Sequence, residues 1–462
     1  MARTTTIHHD IRLQLLGARR PVSATELAST LRVNRTTIAR AMADIGLDLL
    51  TMGATRSTRY LLRRSIRNIG NRWPIYRIND CGQAAQWAEL QSVHERGWLV
   101  NWTKEAPEWG RCFIDEHGMW CGFPFFLTDS RPQGFLGRLI TNRLARLIAL
   151  PEDLRFWSDD DALIYLQMLG DDQPGDIVVG EMSLRHALAG AGDIMPTSIV
   201  LEEERAERFP QIAAHIAQNA PGSSAGGEQP KFITWIQQSP DDYRSVLVKY
   251  TAPMDQTIGL RWADLLACEF HAHEVLSQSG HAATGTRLLD AGGRRFLEVP
   301  RFDRKGPSGR HGVVSLFAVS TALEGLPRDW NDGASMLARS GLLDEAGQRQ
   351  IRMLHSFGEL IGNTDMHSGN LSFFLENTIP WRLTPSYDML PMLWAPSAQG
   401  EMTERNFTPS PPLPAFREEW QQASVLAVDL WQRVANDIRI SAGFRLIAEQ
   451  AHAVVDRLRN RF

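Results

Sequence analysis

Cysteine is scarce in this 462-residue chain, with four residues, Cys81, Cys112, Cys121 and Cys268. None forms a Cys-x-x-Cys pair or joins a His/Cys cluster at metal-ligand spacing, which argues against a disulfide framework or a zinc site. Long apolar runs are missing too. No stretch reaches the ~18 apolar residues needed to span a bilayer, and the N-terminus, despite Arg19 and Arg20, lacks the apolar core of a signal peptide. A reducing, cytoplasmic protein with no membrane partner is the expectation. The net charge of −4, with 43% hydrophobic and 22% charged residues, is ordinary for a soluble chain. The length leaves room for roughly two to four domains.

Lysine is absent from residues 1–72, where 13 Arg face only Asp10, Glu26, Asp44 and Asp48. That segment carries +9, leaving −13 for the rest. A short basic segment on an acidic body points to polyanion binding. Residues 7–16 read as a first helix. Ser23 and Glu26 spell a capping box opening a second helix to Leu31. Asn34 caps a third, residues 35–45, with Ile38, Ala41, Met42 and Ile45 inward. Residues 47–50, a tip at Gly53 and residues 58–62 read as a two-stranded wing. The order is that of a winged helix-turn-helix domain, residues 1–70. Its third helix would present Arg35, Thr36, Thr37 and Arg40 to duplex DNA, and its wing Arg56 and Arg59. The alternative is the same fold used only for protein contact.

Residues 71–215 form a less legible segment. Residues 98–102 and 120–127 look like strands around a Glu116-His117-Gly118 turn, residues 140–150 and 161–169 look helical, and residues 171–176 form a turn before a strand at 177–179. A glycine- and serine-rich stretch, residues 219–227, then runs into a hairpin with strands near 229–236 and 245–250. Lys249 alternates with Val246 and Val248, so it points either into a cleft or to solvent. No G-x4-G-K-[ST] phosphate loop is present.

Asp365, Asn370 and Asp388 carry the sharpest chemistry. An Asp followed five residues later by Asn is the spacing of a kinase catalytic loop, where the Asp takes the proton of the attacking hydroxyl and the Asn helps hold magnesium. Asp388 lies 18 residues further on, where it can hold the metal's other side. Met353, Phe357, Leu360 and Ile361 predict a preceding helix ended by Gly362, and residues 371–375 and 379–383 predict two paired strands between the loops. Asx-turn chemistry is the alternative for each residue taken singly.

Five ordered motifs resemble the HipA family of bacterial serine/threonine kinases, the toxins of toxin–antitoxin pairs. They are Ser224-Ala225-Gly226-Gly227-Glu228-Gln229-Pro230-Lys231, Val248-Lys249, Arg301-Phe302-Asp303-Arg304, the run from Gly362 to Asn370, and Thr384-Pro385-Ser386-Tyr387-Asp388. The basic N-terminal segment resembles the HipH-like subgroup. The resemblance implies an α+β, kinase-like two-lobed HipA-type body behind the winged helix-turn-helix, its kinase core spanning residues 216–462. It implies Mg2+ and ATP as cofactors, with Asp365 as catalytic base and Asn370 and Asp388 on the metal. Lys249, Ser224, Gly226, Gly227 and Lys231 would lie at the nucleotide, and Ser224 or Ser223 would be self-phosphorylated. The implied partners are a Ser/Thr protein substrate such as an aminoacyl-tRNA synthetase or another translation factor, and an antitoxin protein. Many members have Lys where this chain has Gly369, which would require His367, Lys231 or Arg304 to supply the cation or leave a slow enzyme. Rival readings are a DNA-binding regulator whose kinase-like body only senses nucleotide or a partner, and a small-molecule kinase.

Overall fold

The computed structural model describes the chain apart from residues 1, 19, 54–56, 95, 121, 140–147, 190–198, 220–228, 241, 398 and 403–404, and apart from the side chains of residues 2–6, 47 and 219. Three helices open the chain: Ala2–Leu16, Ala24–Leu31 and Arg35–Ile45. The second starts where the capping box forms, with the Glu26 amide donating to Ser23 Oγ (3.2 Å) and the Ser23 amide to Glu26 Oε2 (2.7 Å). Asn34 is the N-cap of the third helix but makes no side-chain capping bond. Ile11, Leu15, Leu27, Ile38, Ala41, Met42 and Leu62 fill the core between the helices and an antiparallel sheet of Val22–Ser23, Arg59–Leu62 and Leu49–Met52.

The next segment is built on an antiparallel sheet ordered Gly97–Trp102, Ala84–Val93, Arg72–Ile78, Ile177–Val179. Its core is aromatic: Trp73, Trp98, Trp109, Trp120, Phe125 and Phe126 pack ring against ring. The strand expected over residues 120–127 is not formed. Phe125–Leu127 is a 3-10 turn in which three consecutive side chains are buried, and a strand's two-residue alternation cannot bury all three on one face. Only single bridges tie Trp120 to Trp98 and Ile114. Asp159–Leu169 is helical as expected, whereas the helix expected over 140–150 lies largely outside the described residues.

The last segment joins a five-stranded sheet to a helical bundle. The sheet runs Arg287–Ala291, Arg294–Pro300, Asp242–Tyr250, Lys231–Ser239, Ile199–Leu201, and the Arg205–Asn219 helix seals one face through Phe209 and Ala213. The 22-residue helix Thr257–Gln278 connects to the bundle formed by Glu345–Leu360, Arg417–Asn436 and Ala442–Arg461. Met353, Phe357, Leu360 and Ile361 are buried, as their spacing requires. Between sheet and bundle, Val313–Ser315 pairs with Ser372–Phe374. The second strand expected at 379–383 is reduced to one bridge, Phe373 to Leu383. Pro380 has no N–H to give, and the Trp381 amide donates instead to Leu342 O (2.8 Å).

Candidate active site

Lys249 sits near the end of a sheet strand in register with Lys231 on its neighbour. Its side chain is not solvent-facing, which corrects one of the two readings of the alternation: Lys249 is 4% exposed. The Thr257–Gln278 helix covers that face and supplies Glu269, itself 1% exposed. Lys249 Nζ donates to Glu269 Oε1 at 2.6 Å and to Asp388 Oδ1 at 2.5 Å. Burial opposes the ammonium charge, but the Asp388 and Glu269 carboxylates prevail and hold its pKa above the ordinary value. Burial likewise works against Asp388, yet Lys249 and Lys231 keep its carboxyl well below the usual range. Glu269 goes the other way: burial raises it against the pull of Lys249. His273, one turn further along the helix, has both ring nitrogens buried without a hydrogen bond among the described residues, and burial, helped by the Lys249 charge, pushes it down to about 4.

Asp365, Asn370 and Asp388 are gathered by a fourth residue, Asn363. The Asn363 amide donates to Asp388 O (3.3 Å) while its Oδ1 accepts from the Asp365 amide (3.0 Å). Asn370 Nδ2 donates to Asp365 O (2.9 Å), closing the loop. Asp365 is exposed. Asp388 has φ 55°, a left-handed conformation that costs a non-glycine residue ~1–2 kcal/mol. Strain of this kind persists where its surroundings fix it, here through Asn363 and the Lys249 ion pair. Tyr387 Oη donates to Gly369 O (2.8 Å) and meets Ser372 Oγ (2.6 Å).

Gly369 has a local reason. His367 Nδ1 accepts from the Gly369 amide, and a Cβ at 369 would lie 3.0 Å from two atoms of that ring. Of the three cations that could replace the missing lysine, Arg304 is committed elsewhere, bonded to the Asp303 and Asp172 carboxylates and to three carbonyls. Lys231 is the one whose charge reaches both Asp388 and Glu269. Ser223, Ser224, Gly226 and Gly227 fall outside the described residues.

Among the described residues no group of three or more His, Cys, Asp or Glu is arranged to hold a metal. Asn370 and Asp388 offer one amide oxygen and one carboxylate. Such a set fits magnesium, which keeps waters and takes its remaining ligands from substrate phosphates. Glu269, Asn363 and Tyr387 were not legible as site residues. For Glu269 a signal existed, a lone carboxylate on the apolar stripe Leu265, Glu269, Ala272, Leu276.

At the N-terminal end, Arg35, Thr36, Thr37 and Arg40 are exposed on one helix, and Arg56 is outside the described residues. Arg59 opens the strand Arg59–Leu62, where its guanidinium lies 3.5 Å from Glu26. Part of the +9 charge is structural as well. Arg64 pairs with Asp160 (2.5 Å) and Arg67 with Asp161 (2.7 Å), at the start of the Asp159–Leu169 helix.

A buried lysine–glutamate pair facing an Asp–Asn loop, at the seam of a sheet and a helical bundle, is the constellation of a kinase-type fold. Residues 223–461 match the HipA-like C-terminal domain, and residues 69–188 match the YjjJ-like toxin, middle domain. Toxin YjjJ of Escherichia coli (strain K12) is 36% identical over 433 residues, covering 93% of this chain and 94% of that one. The chain belongs to the HipA-like toxin family. Among solved structures, HipA of a Shewanella oneidensis MR-1 toxin–antitoxin system, in a complex of HipA, HipB and operator DNA, aligns with a TM-score of 0.49 and 17% identity over 84% of this chain and 95% of that one. The Helicobacter pylori proinflammatory kinase CtkA aligns at 0.35 and 12% over 51% and 92%. No helix among the described residues is long and apolar enough to cross a membrane.

Proposed function

We propose that this chain is a Mg-ATP-dependent serine/threonine protein kinase of HipA type, a growth-arresting cytoplasmic toxin with a DNA-binding N-terminal domain. The observation that carries the reading is Lys249 held between Glu269 and Asp388 under a lid of helix. A buried ion triad gives little net stability over well-packed apolar residues, so its retention asks for another role. Glu269 fixes Lys249 so that its ammonium faces the incoming phosphates. Asp365, exposed at the loop tip, accepts the proton of the substrate Ser or Thr hydroxyl as its oxygen bonds to the γ-phosphorus and the bond to the β-phosphate oxygen breaks. Asn370 and Asp388 would hold the magnesium, which neutralises charge on the phosphate oxygens. Lys231 supplies the cation that Gly369 cannot.

Ser224, or its neighbour Ser223, is proposed as the self-phosphorylated switch. Its added charge of about −1.5 to −2 would repel bound ATP. The three N-terminal helices and their sheet are proposed as a winged helix-turn-helix that sets Arg35, Thr36, Thr37 and Arg40 on duplex DNA, with an antitoxin as a further partner. Gly369 favours one rival, a DNA-binding regulator that binds nucleotide without turning it over. Incubation of the full chain with Mg-ATP and intact-mass analysis separates the two. Added phosphate supports the kinase; unchanged mass with saturable nucleotide binding supports the regulator.

A further inference from the structure

Residues 301–312 connect the two halves of the site. They leave the strand Arg294–Pro300, which pairs with the strand of Lys249, and enter Val313–Ser315, which pairs with the strand after Asn370. The middle segment grips this connector through its acidic turn, residues 171–176. Asp172 Oδ1 accepts from Arg301 Nη1 (3.0 Å) and Arg304 Nη2 (2.8 Å). Arg304, 3% exposed in its side chain, also donates to the carbonyls of Gln173 (2.7 Å) and Gly175 (2.9 Å). Asp303 closes the cluster, accepting from Arg301, Arg304 and the Gly175 amide (2.9 Å). Gly175 has φ 87°, and a Cβ there would lie 3.2 Å from the Val313 amide nitrogen, so the turn approaches as only glycine allows.

The gripped connector also carries a ring into the site. Phe302 packs against Tyr387 (centroids 5.8 Å) and Phe374 (6.3 Å). Tyr387 is the residue that ties Gly369, inside the loop of Asp365 and Asn370, to the backbone next to Asp388. A continuous set of contacts therefore runs from the acidic turn through Arg301 and Arg304 to Phe302, Tyr387 and the reacting groups. Arg304 bonds five acceptor atoms at once, the fifth its neighbour Asp303's carbonyl (3.2 Å), a geometry only the planar guanidinium fork provides.

We propose that Asp172 and Arg304 are positioning residues for phosphoryl transfer, through which the middle segment braces the connector and keeps the Asp365–Asn370 loop in register with Lys249. The proposal rests on the kinase reading above. It is tested in the full chain with Asp172→Ala and with Arg304→Lys, which keeps the charge but cannot span the five acceptors. Two readouts are taken, steady-state transfer with ATP varied and hydrogen exchange by mass spectrometry. A brace predicts kcat lower by about tenfold or more, because a misplacement on the order of 1 Å costs up to ~100-fold. It predicts a change in KM for ATP under about threefold, since Lys249 is untouched, and faster exchange across 365–370 as well as 301–311. Turnover within twofold of the unmodified chain, or faster exchange confined to 171–176 and 301–311, overturns it. If the unmodified chain transfers no phosphate the kinase reading fails instead, and exchange at 365–370 still decides the brace.

Discussion

Replacing Glu269 with Gln removes one carboxylate from the triad and leaves a side chain of nearly equal shape. Lys249 keeps Asp388, so no buried charge is stranded, and the amide oxygen can still accept from Nζ at the 2.6 Å position. The loss is therefore that of one charge-assisted hydrogen bond, about 1.5–3 kcal/mol, rather than the ~3–5 kcal/mol of a broken buried pair. A domain stable by ~5–15 kcal/mol survives this. Function should suffer far more. With Glu269 neutral, Asp388 becomes the dominant pull on Lys249, so the ammonium is less available to the phosphates and the Asp388 carboxylate less available to the metal. Phosphoryl transfer should fall by about a hundredfold, the scale on which a fixed electrostatic partner contributes. Urea denaturation read by tryptophan fluorescence gives the stability change, and transfer of labelled phosphate gives the rate. A Glu269→Gln chain that is folded and turns over within threefold of the unmodified one would refute the role assigned to the triad.

Other outcomes follow from the same geometry. Arg35→Ala or Arg40→Ala should each flatten the log–log salt dependence of duplex DNA binding by about 0.9, the share of one phosphate contact, whereas Arg64→Ala should leave the slope unchanged, because Arg64 is spent on Asp160. Binding titrations between low and moderate salt decide this. His273 titrates near 4 in the folded chain and near 6.5 when unfolded. As pH falls from ~6.5 to ~4 only the unfolded state gains that proton, so stability drops by up to ~3 kcal/mol. Urea midpoints of His273→Gln across that window should lack this share of the decline. The chain has four lysines, Lys104, Lys231, Lys249 and Lys305. A nucleotide acyl-phosphate should acylate Lys231 or Lys249 and be blocked by ATP; peptide mapping that finds only Lys104 or Lys305 labelled would count against the nucleotide site.

Local chemistry was legible and what covers a surface was not. The second helix begins at Ser23 and Glu26 because the capping box needs nothing outside four residues. Asp365, Asn370 and Asp388 could be singled out because their loops lie between elements with clear periodicity. The alternation around Lys249 gives its face of the sheet, but only the Thr257–Gln278 helix, packed from elsewhere, decides that this face is buried. The expected strands fall short for local reasons: at 125–127 three consecutive apolar residues are all buried, and at 379–383 Pro380 and the turned Trp381 amide cut the ladder to the bridge at Leu383. Arg64 and Arg67 counted toward a DNA-binding charge until their partners, nearly a hundred residues away, came into view.

The most direct measurement of the central claim is phosphoryl transfer by the full chain and by Asp365→Asn under Mg-ATP, read by intact mass and phosphopeptide mapping. Asp365 is exposed and its side chain makes no hydrogen bond that the fold needs among the described residues, so the variant should fold as the unmodified chain does. The account predicts phosphate on Ser224 or Ser223 in the unmodified chain and a rate at least about a hundredfold lower in the variant. Equal rates in the two chains would contradict it.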